Sequence, residues 1–229
     1  MIEILKTMEF SPFLLSFKLA GITTLILFVI SIPLAWYLSQ TKSKAKPFIE
    51  ALTALPIVLP PSVLGFYILV ALSHNSPIGV FFEDIFGTKL VFNFTGLVIA
   101  SCFYSLPFMV QPLQSGFESI NKNMLEASYI SGKNKLRTIL QVAIPNIKPS
   151  LMTAIIVTFA HTVGEFGVVL MVGGSIPGET KVASVAIYEF VEIMDYKAAH
   201  VYSAIMVIIS FLVLLSVYIF NNKQKRNFI

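Results

Sequence analysis

From Leu90 to Phe117 the chain reads LVFNFTGLVIASCFYSLPFMVQPLQSGF, 28 residues without one Asp, Glu, Lys, Arg or His. A helix needs ~20 apolar residues to cross ~30 Å of hydrocarbon, so this run is long enough to span a bilayer. Residues 19–41, 51–73 and 201–222 share the property. A fifth run, about 149–171, is apolar except for His161 and Glu165. One such run is compatible with a buried core helix, but four in a chain of 229 residues are not. The pattern predicts an all-α, polytopic membrane helix bundle in one domain, with about five spans at 12–40, 48–73, 92–117, 146–171 and 200–221. Residues 182–194 are too short and too acidic to span, and are expected to form an outer-surface or re-entrant helix.

Composition agrees. The chain is 56% hydrophobic and 12% charged, with a mean hydropathy of +0.82, whereas a soluble domain carries about a quarter charged residues. Lys and Arg in short loops favour the cytoplasmic side. Lys42, Lys44, Lys46, Lys122, Lys133, Lys135, Arg137, Lys148, Lys223, Lys225 and Arg226 fall on one set of faces. Lys6, Lys18, Lys89, Lys181 and Lys197 fall on the other. The excess predicts a cytoplasmic 118–148 loop and C-terminus and an external N-terminus. The net charge of +4 is mostly this loop lysine and gives no reason to expect nucleic acid. No basic n-region or cleavage site marks a signal peptide, so the first span is expected to be retained. Cys102 lies inside a span and is read as packing.

Two features inside the spans stand out. Prolines concentrate in the second, Leu55-Pro56-Ile57-Val58-Leu59-Pro60-Pro61, with Pro33, Pro107 and Pro112 in others. Each removes a backbone hydrogen bond, and in lipid the freed carbonyl needs another partner. Bent helices beside a water-filled path are one use for this; a fixed kink that shapes packing is another. The second feature is Glu165 within Gly164-Glu165-Phe166-Gly167. Intramembrane carboxylates face a cavity or a partner. The glycines suggest close backbone approach or a helix break, and His161, four residues earlier, is a candidate partner. A gating or architectural role suits Glu165 better than direct contact with an anion.

Between the third and fourth spans lies a polar segment of different character. Asn121 is suited to cap a helix carrying Leu125 and Tyr129, and Gly132 to end it at positive φ. Leu136, Ile139 and Leu140 begin a second amphipathic stretch, which Pro145 is expected to close. Such a knob serves either a soluble partner or anionic headgroups, which Lys133, Lys135 and Arg137 would face.

Within it, Glu126-Ala127-Ser128-x3-Gly132-x9-Val142-x-Ile144-Pro145 resembles the EAA loop of ABC-transporter permeases, EAA-x3-G-x9-I-x-LP. Both gaps agree; Ser128, Val142 and Ile144 depart conservatively. The 55–61 segment, Gly164–Gly167 and Ile176-Pro177-Gly178-Glu179-Thr180 are similar to those of bacterial molybdate permeases, over nearly the whole chain. The resemblance implies a type I ABC importer permease fold and one transmembrane permease domain over 1–229. It further implies an ATPase-coupling loop at 118–145, with Glu126, Ala127, Ser128, Gly132, Ile144 and Pro145 as its shaping residues. Pro60, Pro61, Gly164, Glu165, Phe166 and Gly167 would belong to the translocation path or its gate.

The implied machine holds two copies of this chain in the cytoplasmic (inner) membrane, a periplasmic binding protein near 173–181, and a cytoplasmic ATPase that carries ATP and Mg. This chain would bind no cofactor or metal and catalyse nothing itself. Molybdate is the first reading, with tungstate inseparable by size and charge; sulfate is the oxyanion alternative. A self-contained pump is excluded by the missing Gly-x4-Gly-Lys-Ser/Thr phosphate loop. No convergent nucleophile, base or metal set supports an intramembrane enzyme. Proton-coupled transport would make Glu165 the carrier, and a passive channel would leave the coupling loop unexplained. Only seven residues follow Asn222 in this sequence, so control by an added cytoplasmic domain is not expected within this subunit.

Overall fold

The structure is a computed structural model and describes residues 9–226. Lys6, used in the topology count, and the end of the tail, 227–229, lie outside the described residues.

Among the described residues, three helices are each long and apolar enough to cross a membrane: α1 Ser11–Gln40, α5 Phe94–Glu118 and α12, apolar over Tyr196–Leu215 of Tyr196–Arg226. Between α1 and α5 come α2 Lys46–Val58, α3 Pro61–Leu72 and α4 Pro77–Phe86. After α5 follow α6 Lys122–Ile130 and α7 Lys135–Thr138, a π-helical turn Ile139–Ala143 and the short α8 Ile144–Asn146. Then come α9 Lys148–Val163, α10 Gly167–Gly173 and α11 Ala183–Glu192.

The second predicted span, 48–73, is not one kinked helix. α2 and α3 are separate and meet at 112°. Proline chemistry explains the break. Leu59, ahead of Pro60, is forced out of the helical region (φ −71°, ψ 136°). Pro60 is itself extended, and Pro61 opens α3, where a missing N–H costs nothing. α2 has 13 residues and α3 has 12; at 1.5 Å per residue each is about 20 Å long, short of a full crossing. Pro33, Pro107 and Pro112, by contrast, lie inside helices that continue past them.

The predicted span at 146–171 is divided as well. α9 meets the α7–α8 segment at 81°, runs to Val163, and stops before α10 begins at Gly167. Counting each bent pair as one span brings the number to five.

The centre is a bundle of α1, α5 and α9. At one end of it the Trp36 ring meets Phe117 edge-on at 5.2 Å, in a cluster that also takes in Leu113, Ile147 and Leu125 from the polar segment. At the other end, Leu19 of α1 and Leu97 of α5 pack with Val169 of α10 and Val185 of α11. α10 also packs on α3, through Val168, Val172 and Ile68. Lys18, on a membrane-length helix, places its ammonium 4.5 Å from the centre of the Phe94 ring, which lowers the cost of the charge there.

Candidate functional site

The polar segment folds as a knob of two short helices. Asn121 Oδ1 accepts from Asn123 N at 2.9 Å and starts α6. The helix ends in a Schellman turn: Gly132 N donates to Tyr129 O (2.9 Å) and Lys133 N to Ser128 O (3.2 Å). Gly132 sits at φ 78° with open space where a Cβ would be, so backbone conformation, not crowding, requires glycine there. Asn134 Oδ1 then accepts from Arg137 N and caps α7. Ser128 Oγ and Thr138 Oγ1, both buried, bond at 2.9 Å and join the two helices.

Leu125 and Tyr129, four residues apart on α6, differ in burial: Leu125 is in the core while Tyr129 is exposed. One expectation for this segment changes. Pro145 does not close the second stretch, which continues to Asn146. Pro145 cannot donate to the carbonyl four residues back, and the preceding turn widens so that Ile144 N bonds Ile139 O. Asn146 Nδ2 donates to Val142 O at 2.7 Å. Ile144 is partly buried against the core, and Pro145 is exposed. Glu126 and Ala127 are exposed on α6, with Glu126 on the wall of a cavity of about 490 Å³ beside Lys42, Phe117 and Tyr129. Ile130 (88% exposed), Leu136 and Leu140 are uncovered apolar side chains on the knob.

The second group surrounds the break between α9 and α10. A Cβ on Gly167 would lie 2.8 Å from Pro61 Cβ, so the start of α10 abuts the start of α3. Gly65 and Met171 continue that contact one turn on, where a Cβ on Gly65 would meet Met171 Cβ at 2.9 Å. Gly164 has no such constraint, so of the two flanking glycines only Gly167 marks close approach. Pro60 forms the bend ahead of Pro61, and the Phe166 ring lies 4.9 Å from that of Tyr188 on α11.

Glu165 is 4% exposed. Its carbonyl accepts from Ser184 Oγ at 2.6 Å, but neither carboxylate oxygen has a hydrogen-bond partner among the described residues. The buried Ser101 hydroxyl faces the carboxylate yet falls short of bonding geometry. The break at 164–166 thus leaves the side chain unbonded by free amides. His161 is not its partner either. Its Nδ1 lies 3.1 Å from Ser105 Oγ, and its ring stacks on Phe108 at 3.9 Å.

The 173–181 loop is held by Thr180, whose hydroxyl donates to Gly173 O (2.7 Å) and accepts from Ile176 N (2.9 Å). Lys181 pairs with Glu189 of α11. Counting charges overlooked the polar residues Gln111, Gln114 and Ser115 of α5; their signal is that Gln114 and Ser115 follow Gln111 by three and four residues, on one helix face.

A profile of the binding-protein-dependent transport system inner membrane component family matches residues 22–228. The molybdenum transport system permease protein ModB of Azotobacter vinelandii is 48% identical over 204 residues, 89% of this chain and 90% of that protein. A probable sulfate transport system permease protein of Chlorella vulgaris is 31% identical over 205 residues, 90% of this chain and 77% of that protein. Among solved structures, a bacterial ABC transporter for import of the acidic polysaccharide alginate superposes with a TM-score of 0.76 at 15% identity, over 93% of this chain and 78% of that one. The inward-facing MetNI methionine ABC transporter gives 0.70 at 16%, over 91% and 92%. The chain therefore has the fold of ABC importer permeases and belongs to the family of binding-protein-dependent transport system inner membrane components.

Proposed function

We propose that this chain is the membrane-spanning permease subunit of an ATP-driven importer of molybdate. The observation that carries the reading is 48% identity to a molybdenum permease across nearly the full length of both chains. The sulfate permeases compared reach 29–31%, which makes sulfate the second reading. Tungstate shares the size and charge of molybdate and is carried with it.

In this reading two copies of the chain enclose the path, a periplasmic binding protein delivers the anion, and a cytoplasmic ATPase supplies ATP and Mg. The permease has no nucleotide site of its own. The N-terminus is external and the C-terminus cytoplasmic, by the lysine and arginine bias of the loops. The knob at 121–145 docks on the ATPase through its uncovered Ile130, Leu136 and Leu140 side chains, with Glu126 and Ala127 exposed beside them. The Ser128–Thr138 bond and Gly132 hold its shape. ATP binding and hydrolysis bias the equilibrium between outward- and inward-open states. The Pro60–Pro61 bend against Gly167 is the packed joint where such a change registers.

The test is uptake of labelled molybdate at nanomolar concentration in a deletion strain and its complemented parent, competed by tungstate and by excess sulfate. Loss on deletion, with competition by tungstate and not sulfate, supports the reading. Competition by sulfate moves the substrate to the alternative. Uptake of all three anions unchanged by deletion, with no second importer present, overturns it.

A further inference from the structure

On α5, residues 104, 108, 111, 115 and 118 are spaced four, three, four and three apart and share one face. Its composition changes along the helix. Towards the start, Tyr104 and Phe108 pack on the His161 ring at 4.7 and 3.9 Å. Towards the end the face is polar, with Gln111, Ser115 and Glu118 all exposed. This polar part opens onto a cavity of about 290 Å³ between α5 and α2, lined by Glu50, Thr53, Gln111, Gln114, Ser115 and Glu118.

The polar groups differ in what they have left to give. Gln114 Nε2 donates to Glu50 Oε1 (2.5 Å) and to Glu118 Oε1 (3.1 Å), so its amide hydrogens are committed. Lys46 Nζ reaches Glu118 at 3.0 Å and Glu50 at 3.6 Å. The four residues tie the start of α2 to the end of α5. Gln111 and Ser115 make no side-chain hydrogen bond among the described residues. An amide and a hydroxyl aligned on a membrane helix are costly against hydrocarbon, so they face water or a polar solute.

Resting on the importer reading above, the geometry points to the groove between α2 and α5 as the cytoplasmic half of the anion's path, with Gln111 and Ser115 as its hydrogen-bond donors. The ligand class is a tetrahedral dianion with oxygen acceptors only. Neutral donors suit passage, which needs contact strong enough for entry and weak enough for release. Among the described residues, no lysine or arginine lines the cavity. At the inner end the carboxylates of Glu50 and Glu118 share Lys46, and their net negative charge disfavours an anion lingering there or returning from the cytoplasm. The Tyr104–His161–Phe108 stack lies one to two turns further along the same face of α5.

The experiment uses the full transporter in inside-out membrane vesicles, in a Cys102→Ala background. Gln111→Cys, Ser115→Cys and Ile208→Cys, the last on the apolar exposed face of α12, are treated with a charged thiol reagent. Modification of both groove positions much faster than Ile208→Cys is expected; rates as slow as that of Ile208→Cys would overturn the groove. Transport by Gln111→Leu/Ser115→Ala is then measured with labelled molybdate. A fall of roughly tenfold, the size of losing one or two hydrogen bonds, with complex assembly unchanged is expected; transport at the parental rate would overturn the donor role. If the parent carries no oxyanion, the importer reading fails, while the labelling rates still decide whether the groove holds water.

Discussion

Ser128 Oγ and Thr138 Oγ1 lie 2.9 Å apart in a buried contact, and this one bond joins the two helices of the knob. The EAA pattern has alanine where this chain has Ser128, so the departure is matched by a hydroxyl ten residues on. Ser128→Ala alone leaves the Thr138 hydroxyl buried without its partner, at a cost of about 1–3 kcal/mol. Ser128→Ala/Thr138→Val removes both groups and is expected to recover most of that loss. Thermal unfolding of the four proteins of the cycle in detergent checks it; additive losses would mean the pair is not coupled.

Gly132 is needed for its φ of 78°. Gly132→Ala meets no atom and is expected to lose only about 1 kcal/mol from backbone strain. Gly132→Pro cannot adopt positive φ and is expected to insert and assemble but to lose anion-dependent ATPase activity. Normal stimulation of the assembled mutant would remove the coupling role from the knob.

The two glycines around Glu165 are predicted to differ. Gly167→Ala drives a methyl against Pro61, an overpacking worth about 1–3 kcal/mol, and is expected to raise basal ATPase or slow uptake. Gly164→Ala places its methyl at ordinary contact distances and is expected to behave as the parent. Equal effects at both positions, in uptake and ATPase assays on the same preparation, would contradict the α3–α10 contact.

Glu165 has no hydrogen-bond partner to lose among the described residues. Glu165→Gln is therefore expected to leave the melting temperature unchanged or higher, because burying a carboxylate without a partner is costly. Glu165→Ala is expected to change basal ATPase or leak more than affinity for the binding protein. A clear fall in melting temperature of the glutamine variant would reveal a bonded carboxylate.

For Glu189, burial alone would raise the carboxyl pKa, but the Lys181 ammonium together with the nearby Ser175 hydroxyl more than offsets this and holds it below its ordinary value of 4.5. A depressed folded-state pKa stabilises above the unfolded value, and that stability is lost as pH falls through the folded one. Lys181→Met is thus expected to be less stable than the parent at neutral pH, with the gap closing as pH drops below 4.5. Thermal unfolding across pH 3–7 measures it, and a gap independent of pH would rule out the ion pair as its source.

The features legible beforehand are those encoded within a few residues of themselves. The Asn121 cap and the Gly132 turn formed where their side-chain chemistry required, and long uncharged runs became long helices. The misreadings share the opposite trait. Pro60-Pro61 read as a kink but produced a turn of 112°, because the chain's direction after two consecutive prolines is set by what α3 packs on. His161 lay one turn from Glu165 in sequence, yet the ring turned to Ser105 and Phe108 on a different helix.

Residue order by itself determined the membrane class, the polar knob and its turn, since hydrocarbon length, capping and positive φ act over one to twenty residues. Tertiary structure alone decided which glycine of Gly164-Glu165-Phe166-Gly167 is crowded, that Ser128 bonds Thr138, and that Gln111 and Ser115 line an open groove while Gln114 is spent on a clamp. Each of these depends on which helix faces which, and that is fixed by packing between segments far apart in the chain.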